Sequence, residues 1–354
     1  MRIARQIQEH DVLGEEGVVD SLYELSLEVT RWLQAQYPLL KPGLQVMSIL
    51  GDFEFYLALL PLIYWCVNKR FGKEIAYLLA IANILNAVGK HLLRQPRPFW
   101  LDAAIGLSEE TSYGAPSGHV QSATVAYLLV AIRARRRLIW FLAGLGIFLM
   151  ALSRVYLGVH FWHDAILGFL LGVLILFGYY VWQNTFQSSF GNRILGQRML
   201  MTISLPLTIA VLYAAGLLLI GELPQVAWSE HMTTAEDLSL EEVFTAGGIL
   251  LGLGIGFILE ATRVHFIVEG SLARRALRYL VGIAVTVLIW RGLALIFPED
   301  PRWLALPLRL FRYWLAGMWV AYYAPLLFVR TGLAQASPEP DVSLSISKGG
   351  ILSN

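Results

Sequence analysis

Nine stretches of mostly apolar residues dominate the chain, near 53–68, 74–92, 119–133, 138–157, 161–182, 200–220, 244–260, 279–297 and 310–329. A helix needs about 20 such residues to cross the hydrocarbon core of a bilayer. At 354 residues the chain could hold two or three soluble domains, but 56% of it is hydrophobic and only 15% charged. Soluble domains carry roughly 25% charged residues. The expected fold is all-α: a polytopic helical membrane protein of about nine spans. The net charge of +1 and the lack of a long basic tract exclude a nucleic-acid partner. Cys66 is the one cysteine, so neither an internal disulfide nor a cysteine metal cluster can form.

The flanks read differently. Residues 1–20 hold Arg2, Arg5, Glu9, Asp11, Glu15 and Glu16 around no apolar core, so no cleavable signal is expected. Over 20–36, Leu22, Leu25, Val29, Trp32 and Leu33 recur at helical spacing, opposite Glu24, Glu28 and Arg31. Such a helix lies along the membrane interface or packs on other protein elements. Residues 331–354, with Ser337, Pro338 and Pro340, are expected to be disordered.

Loop cations orient the spans. Lys69, Arg70 and Lys73, then Arg133 and Arg135 to Arg137, then Arg193 and Arg198, then Arg263, Arg274, Arg275 and Arg278 fall on alternate loops, the expected cytoplasmic side. The loop 221–243 carries six acids and no Lys or Arg. Nine spans then leave the N-terminus outside and the C-terminus inside. Lys90, Arg94, Arg97 and Arg154 break the rule by falling on the outer face, and they mark three clusters there.

The clusters are Lys90 to Pro98, Tyr113 to His119, and Ser153 to Asp164. Lys90, Arg97 and Arg154 supply positive charge, and the planar fork of arginine matches phosphate oxygens. Ser117 and Gly118 fall at the expected N-terminus of the third span, where free N–H groups and the helix dipole suit an anion. Pro116 is expected to start that helix. His160 and Asp164, four apart, share one helix face. A carboxylate fixing one imidazole nitrogen leaves the other as a nucleophile, and His119 is the candidate general acid.

The order Lys-x6-Arg-Pro, Pro-Ser-Gly-His, Ser-Arg-x5-His-x3-Asp resembles the type 2 phosphatidic acid phosphatase and vanadium haloperoxidase superfamily. Lys90, Arg97, Pro98, Pro116, Ser117, Gly118, His119, Ser153, Arg154, His160 and Asp164 fill its signature, over roughly residues 50–182. The resemblance implies that Lys90, Arg97, Ser117, Gly118 and Arg154 bind phosphate. It implies that His160 attacks phosphorus, His119 protonates the leaving group and Asp164 polarises His160. It implies no metal or other cofactor. The chain would then divide into an N-terminal segment (1–50), a phosphatase core (51–185), a C-terminal membrane region (186–330) and a tail (331–354).

Other candidates have plainer readings. Arg94 is expected to snorkel to the interface. His91 and His163 flank motif positions, and His163 lacks an acid four residues on. His10, His231 and His265 read as surface residues. Arg291 inside a span is costly, about 2.5–3.5 kcal/mol on insertion scales, and is expected to pair structurally with Glu260. Gly248, Gly252 and Gly256 repeat at four-residue spacing, which favours close helix packing within the chain or in a homodimer.

A site at the outer boundary suits a membrane lipid substrate: phosphatidate, an isoprenoid phosphate or diphosphate, or a sphingoid-base phosphate. Glucose-6-phosphatases of the same superfamily share the layout and an aromatic pair after Arg-Pro, here Phe99-Trp100, but Asp164 departs from their pattern. A sugar phosphate is therefore the second enzymatic reading. A phospholipid transporter or flippase is the reading from another class, and the His160–Asp164 pair argues against it, because recognition alone needs no nucleophile.

Overall fold

The computed structural model describes residues 13–226 and 228–337. His10 and the expected tail beyond residue 337 lie outside them. The regular structure of the described chain is helical apart from two two-residue strands. Its main helices are α1 (Leu13–Gln36), α2 (Lys41–Ile49), α3 (Phe53–Leu62), α4 (Lys69–Leu93), α5 (Gly118–Ala134), α6 (Arg137–Tyr156) and α7 (Trp162–Thr185). They continue as α8 (Leu195–Ile220), α9 (Ser229–Arg263), α10 (Leu272–Val287), α11 (Arg302–Met318) and α12 (Ala324–Arg330).

All nine apolar stretches fall on helix, but the count of nine spans is not established. Among the described residues six helices are long and apolar enough to cross a membrane, and seven if the pair Pro38–Ile49 and Phe53–Val67, bent by 51°, is one span. Helix α5 has 17 residues, about 26 Å at 1.5 Å per residue and so short of a full crossing, whereas α11 runs on through a π-helical turn (Trp319–Tyr323) into α12.

Helix α4 organises the bundle because its sequence is apolar on two faces. Ile75, Leu78, Leu79 and Ala82 pack against Val125, Ala126 and Leu129 of α5 and Ile175 and Leu176 of α7. The other face is a row of small residues, Ala76, Ala80 and Ala87 with Ile84. It packs against Val243, Ala246, Leu250 and Leu253 of α9 and Tyr213 of α8. Asn68 caps α4 by accepting from Phe71 N, and Arg94 ends it in the left-handed region at φ 49°.

The glycine repeat serves packing within the chain. A Cβ on Gly252 would lie 2.3 Å from Trp314 O, and one on Gly248 2.5 Å from Leu310 O, so α9 rests directly on the backbone of α11. Close approach replaces side-chain interdigitation there.

At the end of α4 remote from Lys90, Glu260 is fully buried. It meets Lys69 Nζ at 2.8 Å and Lys73 Nζ, and accepts from Phe266 N at 3.0 Å. Arg291 does not pair with it. Arg291 is exposed and lies over the Trp290 ring, 4.0 Å from its centroid. The two lysines arrive first because α4 passes beside α9 at that level, whereas Arg291 faces outward. The expected tail is also shorter: β2 (Gln335–Ala336) pairs antiparallel with β1 (Phe266–Ile267), so residues 331–337 belong to the fold.

Gly252→Leu should destabilise the fold by at least 1–3 kcal/mol through overpacking, seen as a lower midpoint of thermal unfolding in detergent. Gly196→Leu is the control, since no atom lies within 4 Å of a Cβ there.

Candidate active site

Three turns carry the three sequence clusters to one end of the bundle. Lys90 comes from the last turn of α4. Its Nζ donates to Ser112 Oγ at 2.9 Å and lies 3.7 Å from Glu242 of α9. Arg97, three residues past the α4 cap, is fully buried. It donates to the Ser112 carbonyl, to Val159 O at 2.9 Å and to Ser112 Oγ at 3.3 Å. Two backbone carbonyls thus fix its fork before any anion arrives.

Ser117 is the N-cap of α5, fully buried, and its amide donates to Asp164 O at 3.0 Å. Its hydroxyl has no hydrogen-bond partner, leaving the usual capping oxygen unused at a helix N-terminus. Gly118 opens α5, and a Cβ there would sit 2.9 Å from Asn86 Oδ1. Asn86 in turn donates to Pro116 O at 3.0 Å. Pro116 precedes the cap rather than starting the helix, because Ser117 takes the N-cap position.

The third turn joins α6 to α7. Gly158 takes φ +71°, and a Cβ there would lie 2.2 Å from Ile105 O, so only glycine fits both the backbone and the space. That reversal sets His160 above Asp164. His160 Nδ1 lies 3.3 Å from Asp164 Oδ2, which also accepts from Phe161 N at 2.9 Å. His163 is half-exposed and stacked on Phe161, with Nε2 3.2 Å from Asp164 Oδ1. The same carboxylate therefore touches both histidines, although no acid stands four residues beyond His163. Burial first, and then the charges of Arg97, Arg154 and Lys90 and the nearby His119, push the His160 imidazole well below its ordinary range.

Arg154 is buried and donates to Ser48 Oγ at 2.5 Å. Its other terminal nitrogen meets Glu110, whose second oxygen lies 3.7 Å from Arg97. Burial opposes ionisation of Glu110, but Arg97 and Arg154, with His119 and Lys90, outweigh it and hold its carboxyl well below the usual carboxylate range. His119 contacts Asp52, Nε2 to Oδ1, at 2.9 Å.

The structure thus brings Lys90, Arg97, Ser117, Gly118, His119, Arg154, His160 and Asp164 to one place. Glu110, Ser112, Ser48, Asp52 and Glu242 were not singled out from the sequence. Glu110 and Ser112 stand between recognisable clusters with no spacing to mark them. Arg94 is no snorkel: it pairs with Glu236 at 2.5 Å and donates to Gly221 O at 3.0 Å. His91 lies 2.8 Å from the same Glu236, and Tyr113 donates to it at 2.9 Å. His231 and His265 are half-buried, His231 stacking on Trp100 at 5.1 Å.

Fold and site together define a multi-pass helical membrane protein with a buried cationic pocket and two carboxylate-paired histidines. The PAP2 superfamily model matches residues 72–188, and that of the PAP2 superfamily phosphatase transmembrane extension matches 244–336. Together they cover more than half of the chain, which belongs to the PAP2 superfamily of membrane phosphatases. It is 27% identical to glucose-6-phosphatase catalytic subunit 1 of Canis lupus familiaris over 46% of this chain and 53% of that one. It is 34% identical to phosphatidylglycerophosphatase B of Bacillus subtilis over 27% of this chain and 49% of that one. The chain spans about half the length of these curated relatives. A crystal structure of a transmembrane PAP2 type phosphatidylglycerolphosphate phosphatase from Bacillus subtilis is 26% identical, at a TM-score of 0.41, over 48% of this chain and 88% of that one.

Replacing Glu110 by Gln removes a negative charge from between two guanidinium groups. It should tighten vanadate inhibition by about tenfold, or 1.4 kcal/mol, in an inhibitor titration. Weaker inhibition would show that Glu110 acts mainly by aligning the two forks.

Proposed function

We propose that the protein is an integral-membrane phosphatase acting through a phosphohistidine, without metal, on a lipid phosphate presented at the extracytoplasmic boundary. The observation that carries this reading is the His160–Asp164 pair at 3.3 Å within a cage of Lys90, Arg97 and Arg154. A pocket that merely recognised phosphate would need the cations alone.

The steps follow from the geometry. The three cations hold the phosphoryl oxygens, joined by the free Ser117 hydroxyl and the N-terminus of α5 at Gly118. Asp164 occupies Nδ1 of His160 and leaves Nε2 to attack phosphorus. The ester bond breaks as the N–P bond forms, and His119 gives its proton to the departing oxygen. Water then attacks the phosphohistidine, His119 takes a proton from it, and inorganic phosphate leaves.

Several features support a lipid phosphate such as phosphatidate, an isoprenoid phosphate or a sphingoid phosphate. The pocket sits at helix ends, where headgroups lie. Helix α1 lies beside it with Leu22, Leu25 and Trp32 more than half exposed, while Tyr23, Leu27 and Thr30 pack inward. That arrangement suits a helix resting on the interface. A sugar phosphate is the second reading, favoured by Asp52 and Glu242, two partly exposed acceptors beside His119 and Lys90.

Two experiments test the mechanism. With purified full-length protein, His160→Ala should abolish phosphate release from phosphatidate while EDTA leaves the wild type unaffected. Undiminished turnover by the variant, or loss in EDTA, would overturn the nucleophile or the metal-free route respectively. The nucleophile must also be unprotonated. With its affinity for protons lowered, His160 stays neutral as pH falls past the ordinary histidine value. The acid limb of kcat/KM should therefore lie below about pH 6.5. A limb centred at or above that value would contradict the assignment.

A further inference from the structure

The corner between α2 and α3 lies before the region matched by either family model, and it touches two groups of the pocket at once. Ser48 of α2 receives the Nη1 donor of Arg154. Gly51 lies against the His119 ring, where a Cβ would come within 2.4 Å of Cδ2 and 2.9 Å of Cγ. Asp52 then meets Nε2 of His119 at 2.9 Å.

Asp52 is also the N-cap residue of α3, and its side chain makes no capping hydrogen bond there. Aspartate at this position ordinarily accepts from the N2 or N3 amide. Here the carboxylate forgoes the cap and turns to the histidine. The pocket therefore holds two imidazole–carboxylate pairs, His160–Asp164 and His119–Asp52, supplied by different helices.

We propose that Asp52 is a positioning residue for the general acid. Its carboxylate holds the Nε2–H of His119, stabilises the imidazolium and turns Nδ1–H toward the departing oxygen. The inference rests on the phosphohistidine reading above. In the first half-reaction the Nδ1 proton passes to the leaving oxygen as the P–O bond breaks. In the second, Nδ1 takes a proton from the attacking water, and the pair returns to its starting state. The Nε2–H···Oδ1 bond is kept throughout, as befits an orienting rather than a reacting group.

The leaving group supplies the test. An alkyl phosphate needs protonation as it departs, whereas p-nitrophenyl phosphate releases a stable anion. Full-length Asp52→Asn is compared with wild type on both substrates. For the alkyl phosphate kcat should fall by about 100-fold, the lower end of what general acid catalysis contributes. For the aryl phosphate it should change by less than about threefold, with KM nearly constant for both, since only the acid step is impaired. Asp52→Glu should recover part of the alkyl activity.

Retained aryl activity also shows that the variant is folded. Equal losses on both substrates, or no loss on either, would overturn the proposal. So would a raised KM at unchanged kcat, which would make Asp52 a substrate-binding group. A wild type inactive on both substrates would instead defeat the phosphatase reading on which this one stands.

Discussion

Three cations held together in a site largely shielded from water set the terms for everything around them. Lys90, Arg97 and Arg154 are each buried. Like charges a few ångströms apart repel strongly once the local dielectric falls below that of water. The fold answers with carbonyls and carboxylates rather than with distance. Ser112 O and Val159 O hold Arg97, Glu110 bridges toward both arginines, and Glu242 approaches Lys90. Each answer depends on a turn. The left-handed cap at Arg94 releases the chain to Arg97, and Gly158 delivers Val159 and His160. A histidine in this field is pushed toward its neutral form, the state a nucleophile needs.

The parts of this arrangement differ in how far the sequence reveals them. The cage and the dyad were legible because their members recur at short, fixed intervals, as with His160 and Asp164 one helical turn apart. Helix positions were legible from apolar stretches, but the span count was not. Length and composition do not say whether a 17-residue helix such as α5 crosses the bilayer or is packed inside the bundle. Long-range partners left no trace. Asp52 and His119 are 67 residues apart, and Arg154 and Ser48 are 106 apart. No periodicity links such pairs, and the N-terminal segment therefore looked separate from the core that it completes. The Arg291–Glu260 pairing failed for the same reason: two charges in apolar spans are natural partners in sequence, but helix rotation decided between them.

The C-terminal helices carry no readable motif, yet the site depends on them. Helix α4 is the common wall: one face closes against α5 and α7, the other against α9. At one end Glu260 of α9 holds Lys69 and Lys73 of α4. At the other, Glu236 at the start of α9 gathers His91, Arg94 and Tyr113, all bordering residues of the cage. Gly248 and Gly252 then seat α9 on α11 by backbone contact, and Gly256 sits against the Ala321 methyl group beyond it. Because α9 is pinned at both ends and along its length, it resists sliding against α4. Lys90 sits on α4 while Glu242 sits on α9, so the spacing of charge in the pocket is set by that same contact. The core and the C-terminal helices therefore pack as one unit, and that packing sets how far Glu242 stands from Lys90.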